Sequence, residues 1–226
     1  MKRLAVALLF LSIALPSTAW TRAADRRIAA KSAELAPPDL RLIINKYNDD
    51  YLRGVDEALA SEGTDIHRRR LRERIDAQTH GIVKMIRTNQ PMSAVVAELG
   101  SLSHLVGDAN NPFHIGDDDA EARVDFEHYF ERRLARFAPL FYGLDRNLVL
   151  NTYLDRMFAR TTRFSPLMVE EYGRGSGATF DDRSTAFGVA SVCYSHAITD
   201  IVNLYYFIWK EAGGSVRVPP RVGHAN

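Results

Sequence analysis

The stretch that most constrains the fold is STAFGVASVCYSHAITDIVNLYYFIWKEAGG, running from Ser184 to Gly214. At helical spacing it is apolar on most sides, yet polar residues interrupt it too often for a membrane span. A helix of that kind is stable only when other helices surround it, so it is expected at the centre of a bundle. The rest of the chain supplies candidates. Residues 24–35 (ADRRIAAKSAEL) read as an amphipathic helix that Pro37-Pro38 terminates, and LRLIINKYNDDYLRGVDEALA as a second helical segment. RRRLRERIDAQTHGIVKMIRT places Leu71, Ile75, Ile82, Met85 and Ile86 at helical spacing beneath a basic outer face. Pro91 opens the next helix, and ARVDFEHYFERRLARF and NLVLNTYLDRMFARTTRF follow as two more. FAPLFYGLDRN is a break, its aromatic run from Phe137 to Gly143 read as core packing with lipid contact as the alternative. YGRGSGATFDD is a Gly-rich loop. No segment alternates like a strand, no repeat occurs, and no boundary defines a second domain. The expectation is a single-domain, all-α multi-helix bundle.

The two ends read differently from this body. MKR followed by LAVALLFLSIAL and PSTA has the charged, apolar and small-residue parts of a secretory signal over residues 1–19. Cleavage after Ala19 removes 19 of the 226 residues, leaving a domain over 20–212 and a loosely ordered tail over 213–226. The implied location is secreted or periplasmic, with no stable membrane anchor after processing. Of 29 basic side chains, Lys2 and Arg3 go with the signal, leaving 27 against 28 acidic ones. That balance supports no dedicated nucleic-acid patch. Cys193 is the single cysteine, so an intramolecular disulfide is excluded and the thiol is read as core.

The chemistry concentrates in LGSLSHLVGDANNPFH, residues 99–114. His104 and Asp108 are four apart and share a helical face, with Ala97, Gly100 and Ser101 as small residues on the turns beneath. Such small residues would let another element approach the pair closely. Imidazole nitrogen and carboxylate oxygen suit a divalent cation such as zinc. Asn110-Asn111-Pro112 then ends the helix and turns His114 back toward the same end. Spacing alone leaves a capped helix with a salt-linked histidine equally open.

The sixteen residues closely resemble the signature of the zinc-dependent phospholipase C and single-strand nuclease superfamily, a helix reading LG-x-x-x-H-x-x-x-D followed by a turn, Pro and His. That family begins its mature chain with Trp and uses the Trp amine and carbonyl as metal ligands; cleavage after Ala19 would expose Trp20. ARVDFEHYFERR is similar to the family's next helix. The resemblance implies a helical bundle whose cleft holds up to three zinc ions and hydrolyses phosphate esters. By that likeness His104 and Asp108 hold a first ion, Asp108 bridges to an ion on Trp20, and His114 serves another with Glu127. Asp56 and His67 complete the first site, Gly54 preceding Asp56 as in the family; Asp65 with His80 is the competing pair, although His80 falls within a helix where a solvated histidine is expected. Asp56 would also accept a proton from the bridging water.

Two positions depart from that pattern. Asp25 stands where the family has a His ligand, and a carboxylate can still bind zinc. Arg123 stands where a second His is expected, and arginine stays protonated and cannot ligate. Its guanidinium could instead occupy the lost cation's place and contact phosphate directly; the plainer reading is a surface residue in a weak helical ion pair with Glu127. Fewer than three tightly held zinc ions are therefore expected. His196 and Asp200, also four apart, read as a buried polar pair able to support the site. The expected function is an exported zinc-dependent phosphodiesterase acting on a small phosphate ester, phospholipid or nucleotide. The alternative is a non-catalytic binding or structural protein on the same scaffold.

Overall fold

The computed structural model describes residues 20–61, 70–115 and 120–216. Among them every regular element is a helix and none is a strand. The order is α1 (Arg22–Leu35), α2 (Pro38–Lys46), α3 (Asn48–Ala60), α4 (Leu71–Arg87), α5 (Met92–Ala109), α6 (Pro112–Ile115) and α7 (Ala120–Arg133). A 3-10 turn at Leu134–Arg136 and an extended stretch then lead to α8 (Leu150–Thr162), α9 (Ser165–Tyr172) and α10 (Thr185–Glu211). No helix among the described residues is long and apolar enough to cross a membrane.

Local chemistry sets these limits. The Thr21 side chain caps α1 by accepting from the Ala24 amide at 3.3 Å, and Asp25 follows in the first turn. Ala36 is extended ahead of Pro37-Pro38, which ends the helix as the sequence predicts. Ser184 caps α10 in the same way, accepting from the Phe187 amide at 3.1 Å. The segment read as one helix over residues 40–60 is in fact two, broken at Tyr47 (φ −114°, ψ 36°). No proline or glycine marks that break, so composition gave no signal for it. The short helix α9, opened by Ser165-Pro166, lies between a predicted helix and a predicted loop.

As its composition requires, α10 is buried on almost every side, packed against α1, α4, α5 and α9. The closest approach in the bundle is between α3 and α5. A Cβ on Gly54 would lie 1.9 Å from the Ala97 carbonyl oxygen, and one on Gly100 would lie 2.0 Å from that of Tyr51. Glycine at both positions lets the two backbones touch, which explains the small residues beneath His104. Two buried tyrosines pin the same crossing. Their hydroxyls lie 2.8 Å apart, and those of Tyr51 and Tyr205 reach the carbonyls of Ala29 and Leu99 at 3.0 and 2.9 Å. Burial pushes the Tyr51 phenol up to about 12, so both remain neutral hydrogen-bonding groups.

The break after the 3-10 turn has its own order. The Leu140 amide donates to Ser195 Oγ at 3.1 Å, Tyr142 to Thr199 Oγ1 at 3.1 Å, and Asp145 to Asn203 Oδ1 at 2.6 Å. Asn203 Nδ2 donates back to the Gly143 carbonyl at 3.1 Å. This strap lies along α10 with Phe137 buried, whereas Leu140, Phe141 and Tyr142 are exposed. Core packing thus describes only the first aromatic of that run.

Candidate metal centre

Three helices and a turn converge around His104. Its own helix, α5, carries Asp108 one turn further on; α1 contributes Asp25 from its first turn; the Asn111-Pro112 turn returns His114 on α6. Asn111 Oδ1 accepts from the Phe113 amide at 3.0 Å, which holds that turn tight. His104 Nδ1 lies 3.0 Å from Asp25 Oδ2, and its Nε2 lies 3.3 Å from Asp108 Oδ2. His114 Nε2 is 3.9 Å from the same Asp108 oxygen. Asp25, His104 and Asp108 each present a ligand atom within 4.8 Å of the other two. All three side chains are buried, and Asp108 is wholly shielded from solvent.

Aromatic side chains wall this cluster. The Trp20 indole is fully buried and donates to the Gly107 carbonyl at 2.8 Å, beside Asp108. A Cβ on Gly107 would sit 3.6 Å from both the Trp20 ring and Asp25 Oδ1, so α1 and α5 meet closely here too. Phe130 and Phe126 on α7 stand 4.4 and 5.9 Å from Trp20, and Phe126 is 5.4 Å from Phe113. Arg123 and Glu127, also on α7, are both buried.

The donor set fits a divalent cation. Two carboxylates and an imidazole, buried together, carry a net charge that is costly in a dry interior unless an ion or proton offsets it. Zinc–ligand bonds of about 2.1 Å in a tetrahedron put neighbouring ligand atoms about 3.4 Å apart. The 3.3 Å between His104 Nε2 and Asp108 Oδ2 matches that edge, and the 3.0 Å at Nδ1 matches a hydrogen bond to Asp25. One imidazole can therefore hold an ion on one nitrogen while a carboxylate orients it through the other. The chain matches no protein-family model, no curated protein and no solved structure.

Among the sequence-derived candidates, the structure thus brings together Trp20, Asp25, His104, Asp108 and His114. Asp56 is a correction. It lies on the outer side of α3, where Arg26 grips it through two hydrogen bonds of 3.0 and 2.6 Å and Arg22 approaches at 3.9 Å. The hydrogen bonds from Arg26 hold its carboxyl below the usual range, which suits an ion pair and opposes service as a proton acceptor. Gly54, two residues earlier, serves the helix crossing and not a ligand loop. His67 and Asp65 lie outside the described residues. His80 is exposed on α4, its Nδ1 3.0 Å from the Asp76 carbonyl, as a solvated helical histidine should be.

A second polar cluster was only half foreseen. Asp200 is buried, but its partners are not His196. Arg160 Nη2 pairs with its carboxylate, Tyr153 donates at 2.6 Å, and Asn110 Nδ2 donates at 3.0 Å. Arg160 Nη2 also donates to Asn110 Oδ1 at 3.0 Å. Through Asn110 this network braces the C-terminal end of the motif helix, a supporting role that no local spacing reveals. His196 instead stacks beside Tyr142, ring centroids 4.5 Å apart, and burial together with Arg160 lowers its pKa. Cys193 is buried and its thiol is pushed up to about 12 by desolvation, so it is no nucleophile at neutral pH.

Proposed function

We propose that this chain is an exported, metal-dependent phosphoesterase, with zinc the metal its nitrogen and oxygen donors favour. The observation that carries the reading is the buried convergence of Asp25, His104 and Asp108, with His114 returned toward Asp108 by the following turn. The phosphodiester specificity rests on the resemblance of residues 99–114 to the phospholipase C and nuclease signature. Export rests on the signal-like residues 1–19.

In this reading His104 Nε2 and Asp108 would hold the ion, with His114 Nε2 standing 3.9 Å from the same Asp108 oxygen. When bound, it supplies positive charge that polarises a phosphoryl oxygen and acidifies water near neutral pH. The protein does the rest. Asp25 accepts the Nδ1 proton of His104, fixing the tautomer that leaves Nε2 free to donate its lone pair. Trp20, clamped on the Gly107 carbonyl, excludes water from one side and holds α1 against α5. The Asn110–Asp200–Arg160 brace fixes the helix end that positions Asp108 and His114.

A second reading draws on the same contacts. An imidazolium between two carboxylates at 3.0 and 3.3 Å would settle the buried charge with no cation, giving a non-catalytic scaffold. Metal analysis of the purified protein, joined to hydrolysis of a bis-aryl phosphodiester with and without chelator, separates them. The phosphoesterase reading expects about one bound metal equivalent or more, lost in Asp108→Asn, and turnover that chelator abolishes and zinc restores. Substoichiometric metal with no chelator-sensitive turnover, and a His104 imidazole protonated on both nitrogens by NMR, would establish the scaffold instead.

A further inference from the structure

Ten large apolar side chains are exposed among the described residues, and five of them fall between residues 140 and 149. Leu140, Phe141, Tyr142, Leu144 and Val149 are 63, 40, 50, 37 and 65 % accessible; the other five are spread over α1, α2, α7 and α9. The strap that carries most of them is not loose. Its amides at Leu140, Tyr142 and Asp145 are hooked to Ser195, Thr199 and Asn203 of α10, so the backbone is satisfied while the side chains stay in water. At about 150–250 Å² per large side chain, those fractions leave on the order of 400–500 Å² of apolar surface. A patch of that size on a monomer is commonly functional. A stable dimer buries about 800 Å² per partner, roughly twice what this stretch offers, so a second copy is a poor match.

The charges around the stretch indicate its partner. Asp145 is held by Arg156 at 3.0 Å, Asp182 by both Arg133 and Arg136, and Glu211 by Arg87 at 3.8 Å. Each acid there is thus already neutralised. Arg146 is exposed within the stretch, and Lys210, exposed at the end of α10, reaches it by donating from Nζ to its carbonyl at 3.2 Å. Neither of these two cationic side chains meets an acid among the described residues. The whole chain carries 29 basic and 28 acidic side chains, so this surplus of positive charge is local. Long basic side chains can lay their stems along apolar surface while their heads reach phosphate. Exposed aliphatic and aromatic groups beside unpaired cations are what an anionic lipid surface attracts.

We infer that residues 140–149 dock the protein peripherally on an anionic phospholipid bilayer. Leu140, Phe141 and Val149 enter the boundary between headgroups and acyl chains, the Tyr142 phenol suits headgroup level, and Arg146 and Lys210 meet lipid phosphates. Contact through a few side chains is shallow and reversible, unlike a membrane anchor, and its electrostatic part weakens with salt. The inference rests on this stretch alone and needs no metal in the candidate centre.

The test is co-sedimentation with vesicles of phosphatidylcholine alone or of equal parts phosphatidylcholine and phosphatidylglycerol, at low and high salt. Chelator is present throughout, which separates this inference from the phosphoesterase reading. Wild type should partition onto the mixed vesicles, more weakly at high salt, and little onto phosphatidylcholine. Arg146→Gln and Lys210→Gln should each weaken that partitioning about fivefold. Phe141→Ser should weaken it roughly tenfold, whereas Leu42→Ser, exposed on α2, should leave it unchanged. Phe141→Trp supplies a second readout, since its emission should shift to the blue on mixed vesicles only. All five side chains are exposed, so unfolding midpoints should match wild type. Wild type that stays in the supernatant with mixed vesicles would overturn the inference, as would equal partitioning of Phe141→Ser and Leu42→Ser. A dimer in light scattering that Phe141→Ser dissolves would give the stretch to a second copy instead. Chelator-sensitive turnover without vesicle binding would keep the phosphoesterase reading and remove this one.

Discussion

Replacing Gly100 by alanine tests the helix crossing that carries the candidate site. The new Cβ would lie 2.0 Å from the Tyr51 carbonyl oxygen, 3.0 Å from its carbon and 3.2 Å from the Val55 amide nitrogen. Ordinary carbon–oxygen contact needs about 3.5 Å, so α3 and α5 must part by more than 1 Å locally. Both neighbours are backbone, and no side-chain rotation relieves the clash. Alanine gains about 1 kcal/mol over glycine in a helix interior, while overpacking of this kind costs about 1–3 kcal/mol and sometimes more. With backbone on both sides the upper end applies, for a net loss of about 2 kcal/mol. In a domain of this size that lowers the melting temperature by roughly 4–8 °C. Gly81, exposed on α4 with open space where its Cβ would lie, supplies the control. There the same substitution should raise the melting temperature by roughly 2–4 °C. Calorimetry and urea unfolding of both variants provide the measurement. Metal content should also fall in Gly100→Ala, since His104 sits one turn along the displaced helix. Equal stability of the two variants would refute the close approach, and with it the account of why small residues lie beneath His104.

Removing Arg160 should be costly in a different way. Arg160→Met strands the buried Asp200 carboxylate, and because Tyr153 and Asn110 remain, the expected loss in urea unfolding is about 3 kcal/mol, at the lower end for a broken buried pair. Adding Asp200→Asn to that variant should recover part of it; no recovery would mean that the guanidinium acts mainly by packing. For Asp56 the sign is set by a depressed folded-state pKa: the pair with Arg26 stabilises fully above the unfolded value of about 3.9 and fades as pH falls below it. Wild type should therefore exceed Asp56→Asn in stability at pH 7 and converge with it well below pH 4. A gap that persists in acid would assign the effect to something other than charge.

What the sequence disclosed depended on whether the relevant information was local. Helix α10 was legible because one segment carries its own apolar surround, and α1 because Thr21 and Pro37-Pro38 bracket it. His104, Asp108 and His114 were legible because a helix followed by a proline turn fixes their mutual placement within sixteen residues. Asp25 and Trp20 came from a resemblance at the predicted cleavage point, and the structure brings both to that cluster. Gly54 precedes Asp56 as in the family pattern, yet it serves the α3–α5 contact. Residues two apart on a helix face different ways, so Asp56 meets α1's outer arginines. Asp200 is a similar case, since the i, i+4 rule offers His196 while its real partners, Arg160, Tyr153 and Asn110, come from 40, 47 and 90 residues away. Packing of distant segments decides such pairings.

The strap along α10 has a consequence for how the chain keeps register. Four helical residues advance about 6 Å, and two extended residues advance about 6.6 Å. Leu140 and Tyr142 can therefore hook onto Ser195 and Thr199 as teeth of nearly equal pitch. The next helical step, to Asn203, is matched by three strap residues, 142 to 145, which is one too many for a straight run. Gly143, at φ +102°, folds up the surplus, a backbone angle that residues with side chains rarely adopt. The helix thus works as a ruler for a segment that looks irregular, and Gly143 is its vernier. The strap's length between hooks is therefore fixed: a one-residue insertion between Leu140 and Tyr142 would shift one hook off its helical acceptor.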